Sequence, residues 1–229
     1  MGFQETSVDL RWDKVSERKE LFDENIKRVE SLVALYVQLK EDNQRDRKEY
    51  KLTDILRAAV VFLHSAFEEY FRSILIEWLP LRATSETLKQ FPIAAKAGKK
   101  AEKILLNDLI DFRGKSVDDI IYESVAETMK LRSFNSEEDI RNWCCKINIS
   151  IEDTSSIQKI GNAVQRRHKI VHEADLNKNE KTEKNRLTLI KPADVTAWIE
   201  EYKKFVNQIE KQSMNWKKEG QDALNNASD

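Results

Sequence analysis

Ser155-Ser-Ile-Gln-Lys-Ile-Gly-Asn-Ala-Val-Gln-Arg-Arg-His-Lys-Ile-Val-His-Glu-Ala-Asp175 is the stretch around which the rest of the chain is organised. Ile157, Ile160, Val164 and Val171 recur at helical spacing, and Ser155 with Gln158 has the pattern of a capping box. This predicts a helix over 155–174 with one buried face. The other faces carry Arg166, Arg167, His168 and His172, so two of the three histidines in the protein fall within five residues of each other. At about 100° per residue, His168 and His172 lie about 40° apart on one face, with Arg167 about 100° round from His168. Two imidazoles that exchange protons near neutral pH thus stand beside a permanent cation whose flat fork of donors fits a phosphate. No carboxylate pair, Ser/His/Asp set or glycine-rich phosphate loop accompanies them.

The string Arg167-His168-Lys169-Ile170-Val171-His172 resembles the Arg-polar-x-x-x-His signature of HEPN domains, the all-α domains of many prokaryotic toxin, abortive-infection and CRISPR-associated ribonucleases. A second segment strengthens the likeness. Arg57-Ala-Ala-Val-Val-Phe-Leu-His-Ser-Ala-Phe-Glu-Glu-Tyr-Phe-Arg72 is similar to the long early helix of that family, where a small-apolar run leads into Leu-His-x-x-Phe-Glu. The two helices stand in the right order and cover about a quarter of the chain. The expected fold is an all-α, HEPN-like antiparallel helical bundle with short inserted helices.

Composition agrees with a helix-rich globular protein. Its 229 residues are 40% hydrophobic and 34% charged with only five Gly and three Pro, enough for one sizeable core. One domain over 1–215 is the default expectation, with two small ones as the alternative. A net charge of -1 gives no global attraction to nucleic acid, so any such binding must rest on a local basic patch. The adjacent Cys144 and Cys145 point to a reducing compartment. No apolar run approaches the ~20 residues of a membrane helix, and the N-terminus is too polar for a secretory signal, so a cytoplasmic protein without a membrane partner is expected. Met1-Gly2 with Thr6 fits a myristoylation pattern, but no polybasic segment or nearby cysteine supplies a second anchor.

Along the chain, a stripe from Val15 through Phe22, Ile26, Val29, Leu32, Val33 and Tyr36 to Leu39 predicts an amphipathic helix over 13–39. The polar run 41–49 separates it from a helix over 52–79. On that second helix Leu52, Ile55, Leu56, Ala59, Leu63, Phe67, Phe71, Ile74 and Trp78 form the core face, while Arg57, Val61, His64, Glu68 and Arg72 make a half-polar stripe. His64 and Glu68 are spaced as an i,i+4 hydrogen-bonded pair. Alternatively the stripe faces the histidines, with Glu68 or Glu69 holding Arg167. Pro80 is expected to end the helix.

Residues 81–151 read as a helical elaboration. Lysines 96, 99, 100 and 103 form a run suited either to phosphate backbone or to solvent, Ser116 caps a helix through about Leu131, and Asn135 or Ser136 caps another through Lys146. After the central helix, 176–183 is loop-like and 186–191 is a short extended candidate. Pro192 then leads a helix over 194–212, and 216–229 is expected to be a mobile tail.

Three readings of the Arg/His cluster compete. The resemblance implies a metal-independent endoribonuclease in a toxin or antiphage role, with the RNA's own 2'-hydroxyl as nucleophile and 2',3'-cyclic phosphate and 5'-hydroxyl products. His172 is then the acid or base, Arg167 the phosphate clamp and His168 the group that orients either one. Arg166, Lys169, His64, Glu68 and Glu69 are supporting or substrate-binding candidates, and no cofactor is expected. The second reading is a metal on His168 and His172, but Lys169 stands where a zincin helix has Glu, and a cation there opposes a metal. The third is an inactive HEPN-type RNA-binding or protein-interaction module.

The expected partners are RNA, a second copy of the chain and an antitoxin or defence-system protein. A twofold axis beside the helix would double the set of Arg and His groups around one phosphate, and HEPN nucleases are generally dimers of that kind. Some HEPN toxins carry a Tyr two places after the motif His that a nucleotidyltransferase antitoxin modifies. Here Glu173 and Ala174 follow His172 instead, so that control is not expected.

Overall fold

The second helix shows how the chain builds its core. From Glu49 to Arg82 it carries apolar residues on more than one face, and Leu56, Ala59, Val60, Leu63, Phe67, Phe71, Ile74 and Trp78 are all buried. Arg57 and His64, from the stripe expected to be half polar, are buried as well. A helix buried nearly all round belongs to the interior rather than to an amphipathic surface.

This architecture is seen in a computed structural model, which describes residues 9–42, 49–93, 106–177 and 187–226. Among them are seven α-helices: α1 (Asp9–Asp42), α2 (Glu49–Arg82), α3 (Ser85–Leu88), α4 (Val117–Lys130), α5 (Glu137–Lys146), α6 (Thr154–Glu173) and α7 (Pro192–Asn226). A 3-10 helix, Leu106–Phe112, precedes α4. No strand occurs among the described residues. The extended candidate near 186–191 makes only an isolated antiparallel bridge, Leu176 with Leu187. The fold is all-α. The lysine run at 96–103, the Met1-Gly2 pattern and most of the polar run at 41–49 lie outside the described residues.

Local chemistry sets the ends of these helices. Ser116 caps α4 as expected, its Oγ accepting from the Asp119 N–H while the Asp119 carboxylate accepts from the Ser116 N–H. At α6 the cap is Asp153 rather than Ser155. Asp153 Oδ1 accepts from the N–H groups of Ser155 at 2.8 Å and Ser156 at 3.3 Å, so the expected Ser155/Gln158 box is displaced by an earlier, charged acceptor that also suits the positive end of the helix dipole. Pro80 does not end α2. It removes one donor within a turn of the end, and the helix continues to Arg82, closing with the Ala83 N–H on the Leu79 carbonyl at 3.0 Å. Pro192 starts α7, where its missing donor costs nothing. That helix runs to Asn226 rather than ending near 212.

Two compact units make up the chain. The first comprises 1–25, 65–134 and 138–148, and the second 26–64, 135–137 and 149–229, so α2 contributes its first half to one and its second half to the other. The first unit has an aromatic centre: Phe67 stacks on Phe71 with ring centroids 5.4 Å apart, Phe134 meets Phe71 edge-on at 4.8 Å, and Phe22 lies against Tyr70 at 5.6 Å.

In the second unit, polar ties give the helix directions. Near the start of α6, Ser156 and Lys159 bond Glu201 of α7, whereas Arg166 near its end is attracted by Asp194 at the start of α7. These two helices are therefore antiparallel. Arg57 of α2 bonds Thr188, just before α7, and His64 two turns later meets Tyr202. The first half of α2 thus runs with α7 and antiparallel to α6, as the apolar stripes predict. Gly161 permits a close approach of Glu137, whose Cβ a Cβ at 161 would meet at 3.0 Å.

Candidate active site

The buried face of α6 consists of Ser156, Ile157, Ile160, Gly161, Ala163 and Val164 and ends there. Val171, expected in the same stripe, is 46% exposed. The last two turns leave the core because polar bonds, rather than apolar burial, hold the end of this helix.

Those bonds centre on Asp175, which is 1% exposed. Its Oδ2 accepts from Arg57 Nε at 2.6 Å and from Arg166 Nη2 at 2.8 Å. The Thr188 carbonyl accepts from Nη2 of the same two arginines, each at 2.9 Å. In return, Thr188 donates its N–H and its hydroxyl to the Asp175 carbonyl at 2.8 and 3.0 Å. Ala174 and Asp175 both lie in the left-handed region, with φ of 50° and 55°, and the Asp175 N–H closes the helix on the Lys169 carbonyl at 3.0 Å. Burial lowers the pKa of Arg166, while the Asp175 charge opposes that shift.

Arg167, the next residue, is treated differently. Both side chains are half-buried and the Nε of each is buried without a hydrogen-bond partner, but among the described residues no ion pair engages the Arg167 guanidinium. His168 and His172 are exposed, one turn apart, with ring centroids 4.7 Å apart and planes tilted by 47°. Lys169 is exposed between them. The structure therefore sets exposed His168, Lys169 and His172 on the last two turns of α6, following Arg167 in the chain, and ties Arg166 into the Asp175 clasp. Such a set can bind an anion, and its imidazoles can donate and accept protons. Among the described residues, no three His, Cys, Asp or Glu side chains converge as metal ligands would.

The remaining candidates lie elsewhere. His64 is 1% exposed, with Nδ1 at 3.2 Å from the Tyr202 hydroxyl, so it serves the interior of the second unit. Glu68 and Glu69 fall in the first unit. Glu68 accepts from the Phe134 N–H at 2.9 Å, and Glu69 pairs with Arg72 at 2.7 Å, whose other nitrogens bond the carbonyls of Met129 and Arg132. Sequence reasoning missed the clasp. Asp175 was visible only as the last residue of the stretch, and nothing in its neighbourhood announced partners more than a hundred residues upstream in Arg57 and thirteen downstream in Thr188.

A model of the RiboL-PSP-HEPN family matches residues 23–215, which include Arg167, His168 and His172. The chain belongs to that family. The match takes in all of α2 to α6, most of α1 and α7 as far as residue 215, so the likeness noted at two helices extends over both compact units of this RiboL-PSP-HEPN protein. Membership of a HEPN family points to an RNA-related function, often that of a ribonuclease. No curated protein and no solved structure matches the chain. Among the described residues, no helix is long and apolar enough to cross a membrane.

Proposed function

We propose that the protein is a metal-independent endoribonuclease whose site is Arg167, His168 and His172. The observation that carries this reading is the pairing of an arginine that has no ion-pair partner among the described residues with two exposed imidazoles 4.7 Å apart on the same end of one helix. In the reaction, the 2'-hydroxyl of the RNA loses its proton and attacks the adjacent phosphorus. The bond to the leaving 5'-oxygen breaks, and that oxygen takes up a proton. His172 acts as the acid or base of these transfers, Arg167 holds the charge that grows on the phosphoryl oxygens, and His168 orients them. The products are a 2',3'-cyclic phosphate and a 5'-hydroxyl. DNA lacks the attacking hydroxyl and is not cut.

A symmetric homodimer completes the site in this reading, because one protomer offers a single Arg167 while the chemistry uses a base, an acid and a cation around one phosphate. The 46% exposure of Val171 beside His172 supports a second copy facing α6. Toxin or antiphage activity, with an antitoxin or defence-system protein as a further partner, is the biological setting we infer from the family. The test is complementation: Arg167→Ala and His172→Ala are each inactive on RNA, and mixing them restores part of the activity if the two residues act across a dimer. A fully active monomer at micromolar concentration contradicts the composite site. RNA binding by the wild type without any cleavage selects the inactive-module reading instead.

A further inference from the structure

We infer that Asp175 is a positioning residue for this site: by engaging Arg57, Arg166 and Thr188 it fixes the last turn of α6 and decides which of two adjacent arginines meets the substrate. This rests on the nuclease reading of Arg167 and His172. Arg166 and Arg167 have equal length and charge, and either guanidinium is suited to a phosphate. Arg166 is drawn away because one of its nitrogens serves both the Asp175 carboxylate and the Thr188 carbonyl, at 2.8 and 2.9 Å.

The clasp also acts on the histidines. The Lys169 carbonyl receives the Asp175 N–H, so the turn that carries His172 frays only if that closure and the Asp175 ion pairs open together. Ala174 and Asp175 hold left-handed conformations without being glycine, a strain that persists only where surrounding bonds over-determine it. Thr188 anchors the segment leading into α7 to the same carboxylate residue through two bonds to its carbonyl. Catalysis of this kind is sensitive to small displacements, and a shift of about 1 Å in a reacting group costs roughly 100-fold in rate.

The experiment is a kinetic and binding comparison of wild type with Asp175→Asn, which keeps the shape and removes the charge. Expected are a fall in kcat of at least about tenfold with KM unchanged or lower, because Arg57 and Arg166 are released as extra cations. In a His172→Ala background, the same substitution should leave RNA affinity equal or tighter and steepen its salt dependence by about one to two phosphate contacts. A merely structural role lowers kcat and affinity together, and that result overturns the inference, as does cleavage within twofold of a wild type that cuts RNA.

If Asp175→Asn does not fold, Arg166→Gln serves in its place. It should reduce RNA affinity far less than Arg167→Gln, and equal losses overturn the assignment. A wild type that cuts no RNA sinks the nuclease reading and leaves the positioning role open to ring-proton spectra of His168 and His172. These should broaden or shift in a folded Asp175→Asn, and unchanged spectra contradict the positioning.

Discussion

Arg166 and Arg167 are neighbours of identical chemistry, and the molecule uses them in opposite ways. Around Asp175, two arginines, a buried carboxylate and a threonine close a network in which each cation and the shared Oδ2 have partners. One residue along the helix, Arg167 has no ion pair among the described residues and precedes two exposed imidazoles in the chain. The clasp holds the fold because breaking it strands buried charges, even though Asp175 Oδ1 and Arg166 Nε are themselves buried without partners. At Arg167 no ion pair among the described residues is there to break. Charge alone does not tell the two apart; the partners do.

The contrast fails first at Asp175 if it is mistaken. Asp175→Ala leaves two arginines without their buried counter-charge, and urea unfolding should show a loss of about 3–5 kcal/mol. A loss below ~1 kcal/mol would mean that the clasp bears no load. Next in size are Arg167→Ala and His172→Ala. Each should cut RNA at least ~100-fold more slowly while unfolding within ~0.5 kcal/mol of wild type, since neither breaks an ion pair among the described residues. Comparable losses of stability at Arg167 and Arg166 would erase the distinction.

A second buried carboxylate, with partners on both oxygens, sharpens it. Hydrogen bonds from Lys159 and then Ser156 hold the Glu201 pKa down to about 2, against an ordinary value of 4.5. A pKa depressed in the folded state means that the unfolded chain takes up the proton first. Its contribution is therefore full above about pH 4.5 and drains away as pH falls toward 2. Glu201→Gln should cost ~1–2 kcal/mol at pH 7 and flatten the fall in stability between those limits, as measured by thermal melts across pH. The smallest effect concerns the start of α6. Asp153→Ala should lower the melting temperature by a few degrees, and Ser155→Ala by less, because Asp153 and not Ser155 accepts from the first-turn amides.

Much of this was legible in the sequence because it depends on neighbours a turn apart. The α6 periodicity from Ile157 to Val164, the Ser116/Asp119 cap and the Pro192 start are local, and each is where its residues put it. So is the proximity of His168 and His172, whose rings lie one turn apart with centroids 4.7 Å from each other. Features that depend on distant partners were not legible. Val171 reads as core by spacing but lies beyond the point where α6 leaves the apolar interior. His64 and Glu68 looked like one i,i+4 pair, whereas Tyr202 and the Phe134 amide are partners that no spacing rule reveals. Pro80 and the stretch after Trp216 read as helix ends because breakers and lost periodicity usually mean that, yet one missing donor near a terminus is tolerated and α7 continues past its last apolar turn.

The most direct measurement is the incubation of purified protein with mixed single-stranded RNA in EDTA, with the cleaved ends analysed for wild type and for His172→Ala. The wild type should leave 2',3'-cyclic phosphate and 5'-hydroxyl ends at an undiminished rate in chelator, and the variant at least ~100-fold less product. Activity that vanishes with EDTA and returns with magnesium, or equal cleavage by His172→Ala, would contradict the metal-independent nuclease reading.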